Sequence, residues 1–186
     1  MRKLILQMQM TLDGFVGKPD GDVMWAFPGF DDEYAAWGTA DLAKAGLHLM
    51  GRVTYHEMAA HWPTSLEPYA APMNDIPKLV FSRTLKEAAW PETRIARGDL
   101  TTEINARKQE SGNDLLAHGG ATFARSLVEA GLVDVLRLIF HPVVLGEGRR
   151  IFPVRNDIQR FRLADIRTFK TGLVAETLIP IEGDKA

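Results

Sequence analysis

The chain has 186 residues, enough for one domain with a substantial core. Hydrophobic residues make up 46% and charged residues 25%, with a net charge of −2, which excludes a general attraction for nucleic acid or anionic membrane and leaves a small-molecule partner to be argued from local sites. There is no cysteine, so disulfides, thiolate catalysis and cysteine-ligated zinc are excluded.

The opening MRKLILQMQM sets basic residues before an apolar run, but Gln7 and Gln9 interrupt that run and no small-residue cleavage site follows. The expectation is a first strand of a cytoplasmic protein. No other segment approaches the roughly 18 apolar residues that a membrane span needs. From Lys3 to Met10, Ile5, Gln7 and Gln9 alternate with Leu4, Leu6, Met8 and Met10, the period of a strand with one more polar face.

Thr11 to Gly29 holds four glycines and two prolines and reads as a long loop, a kind of segment that is usually functional or mobile. Trp25 and Phe27 within it favour packing over something apolar. Asp31 and Asp32 are placed to cap a helix from Glu33 to about Lys44. Leu47 to Met50 is a short strand that runs into Gly51-Arg52-Val53-Thr54-Tyr55, where a helix opens and continues to about Ala60. Pro63 to Pro77 reads as a proline-rich connector, Lys78 to Phe81 as a strand ending in Ser82-Arg83-Thr84, Arg94 to Arg97 as a further strand and Leu100 to Glu110 as a helix.

After a turn at Ser111 to Asp114 comes a short apolar run, then Gly119-Gly120, then a helix marked by Phe123, Leu127, Val128 and Leu132. Val133 to Val144 is β-rich and is interrupted late by Pro142. Phe161 to Lys170 and Leu173 to Ile181 read as two strands joined at Thr171-Gly172. Strands and helices alternate through most of the chain, which predicts a mostly parallel sheet covered by helices, with an antiparallel ending.

Three apolar strands end in small or basic clusters: Gly51-Arg52-Val53-Thr54, Ser82-Arg83-Thr84 and Gly119-Gly120-Ala121-Thr122. In an open parallel sheet the carboxyl ends of neighbouring strands form one crevice. There the two glycine sites offer backbone amides at helix N-termini, the threonines hydroxyls, and Arg52 and Arg83 positive charge. The set describes a seat for a ligand with several phosphates; its structural alternative is capping residues and solvated arginines. Competing motifs fail. There is no phosphate-binding GxxxxGK[ST], Gly146-Glu147-Gly148 lacks the third glycine of a dinucleotide fingerprint, and His56-Glu57 with His61 is one residue too long for a zinc helix. No metal is expected, and His48, His118 and His141 are expected as packed residues in or beside strands.

Thr11-Leu12-Asp13-Gly14, Met50 to Tyr55, Leu79 to Leu85, Gly119-Gly120, and Gly131 to Asp134 with Pro142 to Gly148 together resemble, in this order, the dihydrofolate reductase superfamily. The likeness is greater to the branch similar to the reductase domain of bacterial riboflavin biosynthesis enzymes. It implies one α/β domain over residues 1–186, three-layered, with a mostly parallel central sheet of about eight strands, helices on both faces and an antiparallel C-terminal end. It also implies a homodimer, bound NADPH, and hydride transfer to a ring C=N or a sugar carbonyl of a small heterocyclic or ribosyl-linked substrate. The alternatives are a folate or pterin reductase proper and a nucleotide-binding module without turnover.

Carried over residue by residue, the resemblance places Gly51, Arg52 and Thr54 at cofactor phosphates, and Ser82 and Arg83, with Thr84 behind them, at the adenosine 2′-phosphate. Gly119, Gly120, Ala121 and Thr122 fall at the pyrophosphate, Val16 and Gly17 near the nicotinamide. Trp25, Phe27 and Tyr34 are the apolar lining expected around the substrate. Two acids compete to supply the proton. Asp13 matches the acid of the TLDG motif and is preferred, while Asp31 lies near the place of a folate reductase's acid; a turn residue and an N-cap are their structural alternatives.

Overall fold

The computed structural model describes residues 1–154 and 156–181; Arg155 and residues 182–186 of the span expected as one domain lie outside the described residues. Eight strands are β1 (Leu4–Thr11), β2 (Leu47–Gly51), β3 (Lys78–Phe81), β4 (Thr93–Ala96), β5 (Leu115–Ala117), β6 (Val135–His141), β7 (Phe161–Thr168) and β8 (Val174–Pro180). They form one sheet in the order β4-β3-β2-β5-β1-β6-β8-β7. The pairings from β4 to β6 are parallel, and β8 runs antiparallel to both β6 and β7. The α/β architecture with an antiparallel C-terminal end is as the alternation of elements predicted.

The helices are α1 (Asp32–Leu42), α2 (Arg52–His61), α3 (Ala70–Asp75), α4 (Leu100–Gln109) and α5 (Ala121–Glu129). Helices α4 and α5 cover one face: Ile104, Ala124, Leu127 and Val128 pack there on Leu4, Leu6, Met8, Leu49, Leu115 and Leu136. Helices α2 and α3 cover the other over β2 and β3, where Tyr55 and Met73 meet Met50, Val80 and Leu116. Helix α1 covers β6 and β8, with Tyr34 against Ile139 and Ala175. The apolar half of the β1 alternation is the reason for its central place. Each of its four large apolar side chains contributes about 1.5–3 kcal/mol when fully buried.

Two segments depart from expectation. The proline-rich stretch Pro63 to Pro77 is not a bare connector, for it contains α3 with Pro72 in its first turns and stops before Pro77. Proline is tolerated there because the first-turn amides of a helix have no intrahelical partner. The loop from Thr11 is anchored rather than free: Leu12 N donates to Val143 O and Val16 N to Arg149 O, each at 2.9 Å, and Val16 is 4% exposed within the core. Its second half winds into a 3-10 turn over Met24–Gly29. Strand β6 stops at His141, directly before Pro142, which has no amide to continue the ladder.

Candidate functional site

Because β3, β2 and β5 are neighbours, their carboxyl ends bring the three strand-end clusters side by side. Gly51 is the N-cap of α2 and Gly120 that of α5, and neither helix has a side-chain cap. By contrast, Asp31 caps α1 through a bond from Tyr34 N, and Asp99 caps α4 through one from Thr102 N. The first-turn amides of α2 and α5 are therefore left for another acceptor, and the helix dipoles favour an anionic one.

The two uncapped ends touch. Gly51 N donates to Gly119 O at 3.2 Å, and a Cβ added at Gly120 would stand 3.2 Å from Thr54 Oγ1. Phe81 and Phe123 stack beneath them at 5.0 Å between centroids. Arg52 and Arg83 are exposed, as are Thr84 and Thr122. Ser82 Oγ accepts from Thr84 N and Leu85 N at 3.2 and 2.8 Å, so this hydroxyl shapes the turn that presents Arg83. Ala121 opens α5 and is partly buried. Val16 is in the core, and Gly17 bridges to Arg149.

On the α1 side of the sheet, β1 places Gln7 and Gln9. Gln9 Nε2 donates to Tyr34 Oη at 2.8 Å, and Gln9 Oε1 lies 2.7 Å from His141 Nε2. Trp25 stands edge-on to His141 at 5.1 Å, and its buried Nε1 has no partner among the described residues. Tyr34, 3% exposed, stacks on Phe30 at 4.5 Å, and burial pushes its hydroxyl up to about 12. Phe27 packs on Phe30 but is half exposed. Of the three residues expected as lining, Trp25 and Tyr34 thus gather at the ends of β1 and β6, while Phe27 lies farther out on the aromatic cluster.

Of the two acids, Asp13 has both oxygens engaged. Thr11 Oγ1 donates at 2.5 Å, Gly146 N at 2.7 Å and Leu145 N at 3.2 Å. These bonds, that from Thr11 foremost, hold its carboxyl below the usual carboxylate range. Asp31 accepts from Tyr34 N through Oδ1 alone, at 2.8 Å, and its Oδ2 has no partner among the described residues.

His48 and His141 lie in β2 and β6, and His118 sits directly beyond β5. His118 Nε2 is 2.8 Å from His48 Nδ1, and His48 Nε2 is 3.1 Å from Pro72 O. Burial lowers His48 and His141 to about 4 each and His118 well below the ordinary imidazole range. All three rings are neutral near pH 7. The three histidines lie in or beside strands as expected, whereas Gln7 and Gln9 had no motif to mark them beyond the polar alternation of the first strand. Among the described residues no group of three His, Cys, Asp or Glu is placed to hold a metal ion, and no helix is long and apolar enough to cross a membrane.

The family model for the RibD C-terminal domain matches residues 2–175. The uncharacterized protein YyaP of Bacillus subtilis (strain 168) is 30% identical over 178 residues, covering 93% of this chain and 92% of that one. Among solved structures, a putative riboflavin biosynthesis protein from Shewanella sp. PV-4 superposes with a TM-score of 0.79 at 19% identity, over 97% of this chain and 99% of the other. The dihydrofolate reductase of Enterococcus faecalis, complexed with NADP(H) and RAB-propyl, superposes with a TM-score of 0.64 at 14% identity over 97% of each chain.

Proposed function

This chain belongs to the RibD C-terminal domain family, and from that premise we propose that it is an NADPH-dependent reductase of a small heterocyclic or ribosyl-linked substrate. The observation that carries the reading is the convergence of two helix N-termini without side-chain caps, at Gly51 and Gly120, beside the exposed Arg52 and Arg83. Amide donors, close-approach glycines and exposed guanidinium groups fit a ligand with several phosphates. The complex of the structurally similar Enterococcus faecalis reductase with NADP(H) supports that choice of ligand.

In this reading Gly51, Arg52 and Thr54 meet phosphates, as do the backbone amides from Gly119 to Thr122. Arg83, presented by the Ser82 turn with Thr84, meets the 2′-phosphate, and Val16 and Gly17 flank the nicotinamide. NADPH, when bound, supplies the hydride; the chain orients the substrate ring, excludes water and holds the proton. Asp31, with its free Oδ2, is the better proton source, whereas Asp13 spends both oxygens on backbone and Thr11. Trp25 and Tyr34 border the substrate, with Phe27 at its outer rim.

The reading makes the chain a cytoplasmic protein of one domain that works as a homodimer. The edge strand β7 supports a second copy as partner, because Leu163 and Ile166 are 49% and 51% exposed on it. The occupied oxygens of Asp13 favour one rival, a nucleotide-binding module without turnover. Titration with NADPH and separately with NADH, followed by the fluorescence of the four tryptophans, tests the cofactor reading. Tight binding of NADPH and weaker binding of NADH are expected; absence of binding by either sinks it. Asp31→Asn then decides about turnover, since an enzyme of this kind loses NADPH oxidation while still binding the cofactor.

A further inference from the structure

Strand β1 lies in the middle of the sheet, between β5 and β6, where side chains are ordinarily covered on both faces. Gln7 and Gln9 are nevertheless partly exposed on the α1 side, and so is His118. The register Leu6↔Ala117 carries His118 to the place beside Gln7. The helical cover is therefore incomplete at these two residues.

The buried partners of Gln7 and His118 fix which end of each is free. Pro72 O only accepts, so His48 Nε2 carries the proton, His48 Nδ1 is a bare lone pair, and His118 Nε2 donates to it. That leaves His118 Nδ1 as an acceptor. Arg137 only donates; its Nη1, also paired with Asp41, lies 3.2 Å from Gln7 Oε1, so the free end of Gln7 is the Nε2 donor. Neither free atom has a partner among the described residues, and neither is among the fully buried side-chain atoms that lack one, so both stay open to a ligand. Burial keeps both imidazoles neutral, which preserves the acceptor near pH 7.

We infer that Gln7 and His118 read one edge of the substrate ring as a donor–acceptor pair. Gln7 Nε2 donates to a carbonyl-type oxygen, and His118 Nδ1 accepts from the adjacent ring N–H. His48 and Arg137 are positioning residues that set this polarity. The ring edge selected is a lactam, –CO–NH–. A ring that is methylated at that nitrogen leaves the His118 lone pair unmet and is disfavoured by about tenfold or more. The inference rests on the reductase reading for the presence of a ring in this crevice; the polarity of the pair stands on the hydrogen bonds alone.

The test is long-range proton–nitrogen correlation NMR of the imidazoles in the whole protein saturated with NADPH. Both His48 and His118 are expected as Nε2–H tautomers near pH 7. Addition of 2-pyridone, a simple lactam, should shift His118 Nδ1, and N-methyl-2-pyridone should bind about tenfold more weakly or not at all. His118→Leu should erase the difference between the two probes and leave NADPH affinity unchanged, and His48→Phe should mix the His118 tautomers. An Nδ1-protonated His118, no binding of 2-pyridone, or equal affinity for both probes overturns the proposal. The tautomers can be read without NADPH, so a failed cofactor titration sinks the reductase reading separately from the polarity.

Discussion

Asp13 and Gly146 are joined at 2.7 Å by a hydrogen bond from the amide of one to the carboxylate of the other, across 133 positions of sequence. With the bond from Leu145 N, it fastens the loop after β1 to the loop after β6. Asp13→Asn presents an amide to these donors and should lower the melting temperature at pH 7. The folded-state pKa lies below the ordinary aspartate value of 3.8, so the carboxylate's contribution is present above that pH and is lost as pH falls through the folded value. Melting curves of both proteins should accordingly converge in acid and separate at neutrality.

Lys78 is 1% exposed, and its ammonium donates to Met73 O, Asn74 O and Ile76 O at 2.9, 2.7 and 2.8 Å, closing the end of α3. Lys78→Met leaves these carbonyls without their donor and should cost on the order of 3 kcal/mol in chemical denaturation. Burial lowers this amine from 10.5 to about 8, so between those values the unfolded chain binds more protons. The stability difference between wild type and Lys78→Met should grow as pH rises through that window.

Arg83 is exposed beside the Ser82 turn and has no ion pair among the described residues. Arg83→Ala should weaken NADPH binding by about ten- to a hundredfold and leave NADH affinity unchanged, as expected for one lost charge-assisted contact to a phosphate. An equal loss for both nucleotides in the fluorescence titration would move Arg83 away from the 2′-phosphate.

Ile166, half exposed on the edge strand β7, should lie in the contact between two copies. Ile166→Glu should convert a dimer into a monomer in sedimentation-velocity runs, with the far-ultraviolet circular dichroism retained. A wild-type protein that sediments as a monomer at all concentrations removes the dimer from the proposal.

The sheet was legible because its strands carry the local signals of their surroundings. Leu4, Leu6, Met8 and Met10 alternate for a covered face, and Pro142 marks the end of β6. Helix α3 was not legible, since its prolines read as breakers until Pro72 is seen in the first turns and Pro77 beyond the end. The Gly51, Ser82 and Gly119 clusters were visible as residue types at strand ends, but the lack of side-chain caps on α2 and α5 is a matter of three-dimensional placement. The His118–His48 contact joins residues 70 apart. Only the register of β2 against β5 brings them together, and no local pattern encodes a register between distant strands.

The place of β1 also governs how the molecule comes into being. Its two hydrogen-bonding neighbours, Leu115–Ala117 and Val135–His141, leave the ribosome more than a hundred residues after it does. Until then β1 has both edges open and a face of leucine and methionine uncovered, a surface suited to chaperones and prone to self-association. Strand β2, by contrast, can pair with β3 and β4 as they emerge. The nascent chain is thus expected to build the β2–β4 side of the sheet before β1 can join it, through contacts of long sequence separation that make this closure slow.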